Sequence, residues 1–140
     1  MKPNFRLMPK SENQPVIPVF CDSRVAAGNA AQYVEILVNP AKILQSWRAS
    51  LMAHEYLDKT GAVKGDDDLT ETRLEKRESI RAAVAAGNSL EKPVLGIGIF
   101  DNVEIGAGAD IIVTLFMDGI SSIPVHVRKS QLNDFASFRA

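Results

Sequence analysis

The chain has little of what marks a specialised class. It carries one cysteine, Cys21, among 140 residues, which excludes an intramolecular disulfide and a multi-cysteine zinc site. A lone thiol suits a reducing compartment. Aromatic residues make up only 6%. Neither sign of charge dominates: 16 Lys and Arg face 17 Asp and Glu, for a net charge of -1 and a pI of about 6.1. No global field therefore favours nucleic acid or an anionic membrane. Long hydrophobic runs are missing as well. The longest apolar stretch, Ile111 to Met117, includes Thr114 and falls far short of the ~20 residues that span a bilayer. The opening MKPNFRLMPKSENQP is broken by prolines and does not read as a secretory signal. No repeat is visible. These absences imply a soluble, cytoplasmic protein with no membrane partner and no cofactor.

What is present is ordinary for a globular chain: 46% hydrophobic and 24% charged residues. The length suits one domain. We expect a loose N-terminal arm over 1–15, where prolines alternate with polar residues, and a single domain over 16–140. Residues 16–20 read as a short edge strand holding Pro18. Residues 21–31 give no clear signal. Tyr33 to Val38 is rich in β-branched and apolar residues and predicts a strand. Asn39-Pro40 marks a helix start. Ile43, Leu44, Trp47, Leu51 and His54 follow at spacings of three and four, which predicts a helix to about Asp58 with His54 half-buried.

Asp68-x-x-Glu71 resembles a capping box before a helix ending near Ala86, with Gly87 just past its end. Leu74, Ile80, Ala83 and Val84 mark the buried side of that helix. Pro93 to Phe100 and Val103 to Ile105 predict a hairpin around Asp101-Asn102. A short, very apolar helix over 109–118 should end at Gly119. Ile111, Ile112, Leu115 and Phe116 form its expected core strip, with Val113 and Met117 flanking it. Ile123 to Val127 predicts a strand, with His126 facing away from its apolar side. Ser130 is placed to cap a last helix containing Leu132 and Phe135. The order β–α–α–ββ–α–β–α implies an α/β (α+β) fold with a small mixed sheet and flanking helices.

Several clusters have a chemical reading and a plainer one. Gly106-Ala107-Gly108-Ala109-Asp110-Ile111 imitates a dinucleotide fingerprint but lacks its third glycine, and a hairpin strand precedes it. It reads better as a tight strand-to-helix turn. Asp66-Asp67-Asp68 lacks the spacing of a calcium loop and reads as a solvated stretch favouring a helix N-terminus. Arg73, Arg77 and Arg81, spaced by four, could contact phosphates or a partner. Glu71, Glu75 and Glu78 lie on the same helix, so a solvated, salt-bridged face is the expectation. Cys21 has no obvious activating neighbour. No catalytic set and no metal set is assembled.

Three segments carry a family resemblance. Glu78-Ser79-Ile80-Arg81 is similar to an "ESIRE" helix end. Pro93-Val94-Leu95 with Val103-Glu104-Ile105 is similar to a "PI-V … YELI" hairpin. Ala107 to Ile111 followed by Gly119 to Val125 is similar to "AGERR … AGLKTIPV", without a gap. Together they resemble the ParB/sulfiredoxin-like fold family over about fifty residues, Glu78 to Val127. The family's motif is degenerate at Gly108, Ala109, Asp110 and Ile111. Both arginine positions are replaced, the sulfiredoxin cysteine is missing, and no helix-turn-helix follows. The acidic Asp110 should repel phosphate and cap the helix N–H groups itself, so no CTP or ATP binding is expected there. The resemblance implies a plasmid, phage or other mobile-element setting, as with small fertility-inhibition and oncogenic-suppression proteins. It implies a non-enzymatic binding or inhibitor protein whose partner is another protein. The alternative is a nucleic-acid-binding protein, or a nucleotide-dependent nuclease or NTPase of the ParB-like class with a relocated site. A homo-oligomer is compatible with either.

Overall fold

Strand pairing organises the computed structural model, which describes residues 17–140. The arm expected over 1–15 lies outside the described residues. The elements are β1 (Val19–Cys21), α1 (Arg24–Gly28), β2 (Tyr33–Val38), α2 (Pro40–Trp47), α3 (Glu71–Ala86), β3 (Ser89–Glu91), β4 (Val94–Ile97), β5 (Val103–Ala107), α4 (Ala109–Met117) and β6 (Ile123–Arg128). Three 3-10 segments, Leu51–Glu55, Asp66–Asp68 and Lys129–Phe138, complete the order. The result is a mixed α/β architecture with two small sheets and flanking helices. The larger sheet has the order β2-β6-β4-β5. Its β6 runs antiparallel to β2 and parallel to β4, and β4 and β5 form an antiparallel hairpin. In the smaller sheet β1 pairs in parallel with β3.

Alternation along the strands decides which face is core. Ile36 and Val38 of β2 and Ile123, Val125 and Val127 of β6 are buried on one face. Ile43, Leu44 and Trp47 of α2, Ile80 of α3, Ile112, Val113 and Leu115 of α4, and Phe135 belong to the same cluster. No helix among the described residues is long and apolar enough to cross a membrane.

Several expected boundaries are corrected. The first strand begins at Val19, after Pro18, because proline cannot donate to a ladder. The unassigned stretch after Cys21 contains α1, capped by the Ser23 hydroxyl on the Val25 N–H. The helix expected to reach Asp58 stops at Trp47. The Ser50 hydroxyl accepts the Met52 N–H and opens a separate 3-10 turn. Each helical residue turns by about 100°, so a break of this kind destroys the phase of the stripe. Leu51 is 88% exposed and His54 is exposed.

Thr70, not Asp68, caps α3, accepting the Arg73 N–H at 3.3 Å. An extended Leu69 separates α3 from the Asp66–Asp68 turn. The far end matches expectation: Gly87 adopts φ +74° and its N–H reaches back to the Ala83 and Val84 carbonyls. The hairpin turns through Gly98 to Asn102 rather than through two residues, with Asp101 at φ +63°. That leaves Ile99 and Phe100 on the loop.

Gly108, at φ +91°, joins β5 to α4, and a Cβ there would lie 2.8 Å from the Pro93 Cβ. In α4 the exposed flank is Phe116 and Met117, while Val113 is 1% exposed. The expected placing of Phe116 in the core and Val113 outside is therefore reversed. The last segment is a 3-10 helix with no side-chain cap from Ser130, and it buries Phe135 completely.

Candidate functional site at the face between α3 and α4

Arg73, Arg77 and Arg81 do share one stripe of α3, but the stripe faces the protein. Arg77 is 1% exposed. The partners are carboxylates from other elements, not Glu71, Glu75 and Glu78 of the same helix. Arg73 Nη1 donates to Asp110 Oδ2 at 2.9 Å and to the Tyr56 hydroxyl, and its Nε lies 3.9 Å from Glu55 Oε1. Arg77 Nη1 donates to Asp66 Oδ1 at 2.8 Å. Arg81 grips Asp118 with Nε at 3.2 Å and Nη2 at 3.0 Å, and its Nη1 is 3.9 Å from Asp66 Oδ2. The expected solvated face is thereby corrected.

The reason lies in the spacing. Arg73–Asp110 and Arg81–Asp118 are both separated by 37 residues. The two helices therefore lie side by side in the same direction and in register. A step of eight residues is just over two helical turns, so it returns each side chain to the same face. The acids that match the arginines sit at the two ends of α4. The Asp66 turn supplies the middle partner; all three acids are exposed, but the Asp66 carboxylate is held by Arg77 and Arg81.

At the junction of β5 and α4, Gly108 provides the left-handed turn and no side chain caps the first turn of α4. The carboxylate of Asp110 does not turn back on the helix N–H groups as expected. It points to Arg73 and also accepts from the Tyr56 hydroxyl at 3.4 Å. Ala109 and Ile111 are half-buried against the core. This end of α4 has a cation, Arg73, delivered by α3 and matched by Asp110.

Burial alone would lower the Arg73 pKa, but Asp110, Tyr56 and Glu55 outweigh it and hold the guanidinium above its ordinary range. Burial pushes the Tyr56 hydroxyl up, and the Asp110 charge adds to the rise. The hydrogen bonds that Arg81 donates to Asp118 raise its pKa. Arg73 also lies 5.4 Å over the Tyr56 ring, which packs 5.3 Å from Trp47. Chemically this is a closed set. Cation, phenol and carboxylate satisfy one another, and together they fix α3 against α4.

The remaining candidates fall elsewhere. Cys21 is exposed. His54 donates from Nδ1 to the Leu51 carbonyl at 2.5 Å. His126 does point away from the core face of β6, but it is only 7% exposed. Its Nε2 is 3.6 Å from Asp22 Oδ1, and Lys92 Nζ bridges Asp22 at 2.8 Å and Glu35 at 2.6 Å. Hydrogen bonds to those two carboxylates raise Lys92, and Lys92 in turn lowers Asp22.

Three features have no counterpart in the sequence reading. Tyr56 joins the Arg73 cluster, a role that a lone tyrosine beyond a helix does not announce. A pocket of about 880 Å³ lies between the end of α2 and the turn at 57–63, with Arg48, His54, Lys59 and Lys64 in its wall. Among the exposed large apolar side chains, two sequence-adjacent pairs stand out: Leu51 at 88% with Met52 at 59%, and Ile99 at 92% with Phe100 at 82% exposed. The Ser50 hydroxyl donates to Glu104 at 2.6 Å, and Asn102 donates to the same carboxylate at 3.0 Å. These bonds tie the turn carrying Leu51 and Met52 to the hairpin carrying Ile99 and Phe100. The chain matches no family model, no curated protein and no solved structure.

Proposed function

We propose that this chain is a non-enzymatic binding protein on a degenerate ParB/sulfiredoxin-like scaffold, and that it acts through another protein. The sequence resemblance supports a mobile-element setting. The scaffold part of the reading is supported by a hairpin, β4–β5, that runs through a left-handed Gly108 into an apolar helix and then a strand beginning Ile-Pro-Val. The observation that carries the functional part is the closed set of Arg73, Tyr56 and Asp110. It fills the start of α4 with internal ion pairing, where the resembling family keeps free cations for phosphate. The two exposed apolar pairs, Leu51–Met52 and Ile99–Phe100, offer a surface suited to a protein partner.

The rival reading, a nucleic-acid-binding or nucleotide-dependent enzyme using Arg73, Arg77 and Arg81, has less support. Phosphate would have to displace Asp110, Asp66 and Asp118 from the arginines that they hold.

The test uses the full chain and an Ile99→Asp/Phe100→Asp variant as baits in extract of the native host, after matching their thermal melts. A protein retained in fixed proportion by the native chain and lost by the variant is the expected result. Hydrolysis of nucleotide or nucleic acid by the purified chain, abolished by Asp110→Ala, would overturn the reading.

A further inference from the structure

The pocket beside the turn at 57–63 has an electrostatic character opposite to that of the α3–α4 face. Arg48, Lys59 and Lys64 contribute to its wall, and none has a carboxylate within ion-pair distance among the described residues. His54 adds an imidazole whose Nδ1 is bound to the Leu51 carbonyl, which leaves Nε2 for another partner. The one carboxylate in the lining, Asp58, is engaged within its own turn. Its Oδ1 accepts the Thr60 N–H at 2.8 Å, the Thr60 hydroxyl at 2.6 Å and the Ala62 N–H at 3.1 Å.

The wall is built rather than loose. Leu57 and Val63 form a bridge, the Asp58 N–H donates to the Ala62 carbonyl, and the Lys64 N–H donates to the Tyr56 carbonyl, both at 2.8 Å. Gly61 sits at φ +88°, and a Cβ there would be 2.8 Å from Arg48 Nη1. The absence of that Cβ lets the Arg48 guanidinium lie along the turn. The buried side chains of Ala53 and Leu57 also contribute to the lining.

We propose that this pocket is a binding site for the phosphate group of a small organic phosphate. A planar guanidinium and two ammonium groups in one concavity suit a compact dianion, whose oxygens can take several charged hydrogen bonds at once. The apolar side chains beneath give the organic part a place to rest. Nucleic acid fits less well. Among the described residues the one aromatic ring in the lining is the His54 imidazole, so a run of bases would lack a stacking platform. This site is separate from the protein-binding reading and does not depend on it.

The test is a titration of the isotope-labelled full chain with phenyl phosphate, followed through amide resonances. We expect saturable shifts of the amides from Thr60 to Lys64 with a dissociation constant below about 1 mM. Lys59→Gln and Lys64→Gln should each weaken binding about fivefold, and Gly61→Ala should weaken it by displacing Arg48. Arg81→Gln, on the neutralised face, should leave the affinity unchanged. Shifts that do not saturate, shifts confined to Gly108–Ile111, or unaltered affinity in both lysine variants with native melts would overturn the proposal. A short single-stranded oligonucleotide that saturates the same amides at lower concentration than phenyl phosphate would overturn the small-molecule assignment.

Discussion

Two groups of cations in this molecule have opposite fates. Arg73, Arg77 and Arg81 each find a carboxylate from another part of the chain. Arg48, Lys59 and Lys64 sit around a pocket whose only acid is folded into its own turn. The residue types are similar, so the difference lies in what the neighbouring element carries. Opposite α3 stands a helix with acids at the matching eight-residue step. Opposite Arg48 stands a turn held by an Asp side chain and a left-handed glycine. A basic cluster therefore becomes structural or available according to a partner that its own segment does not contain.

The largest expected difference between the two groups is in stability. Arg77→Ala should cost about 2–5 kcal/mol in urea melts, because a long side chain 1% exposed leaves a cavity and lost packing. An unchanged midpoint would show that its stem is not packed. Asp110→Ala should cost about 1–3 kcal/mol by leaving Arg73 and Tyr56 unpartnered in a half-buried place, and Asp110→Asn should cost less because it can still accept hydrogen bonds. The Arg81–Asp118 pair has both side chains more than a third exposed. Its double-mutant coupling should be only about 0.2–1 kcal/mol and should shrink as salt is raised. At the pocket, Lys59→Ala and Lys64→Ala should move stability by no more than about 0.5 kcal/mol. Losses there as large as that of Arg77 would erase the contrast.

Tyr56 sharpens the comparison through pH. The fold raises its pKa, first by burial and then through Asp110. The folded chain thus holds that proton more tightly than the unfolded chain does. Stability should be full below the unfolded value of about 10 and fall as pH rises through the folded one. Absorbance titration should show a late phenolate step that vanishes in Tyr56→Phe. If the step is unaffected by Asp110→Ala, the carboxylate has no part in it.

The parts of the fold that were legible rest on local chemistry. Gly87, Gly108 and Gly119 mark helix ends because each takes a positive φ that other residues avoid. Tyr33 to Val38 is rich enough in β-branched and apolar residues to show a strand, and Ile123 to Val127 alternates strongly enough to show its buried face as well. Local chemistry also explains one miss: Ser50 begins a new turn and ends a stripe that apolar spacing alone would continue to His54. β1, β3 and α1 are too short to carry a period. The direction of the arginine stripe was not legible, since on α3 the glutamates are equally near in sequence. The decisive signal was the same eight-residue step in Arg73/Arg81 and Asp110/Asp118, which has meaning only once the two helices are known to lie side by side. In sequence Asp110 reads as a cap of its own helix, but its partner, Arg73, belongs to another element.

The place of β6 has a consequence for synthesis. It is the last strand in the chain, yet it lies between β2 and β4 and is the only strand joining the N-terminal edge to the hairpin. A nascent chain stopped before Ile123 has a hairpin and helices but no way to assemble the four-stranded sheet. Loop closure between Tyr33 and Arg128 must wait until the chain through Arg128 has left the ribosome. The four-stranded sheet can therefore form only once β6 has emerged, and ribosome-stalled fragments ending before Ile123 should lack the protection from protease that this sheet provides.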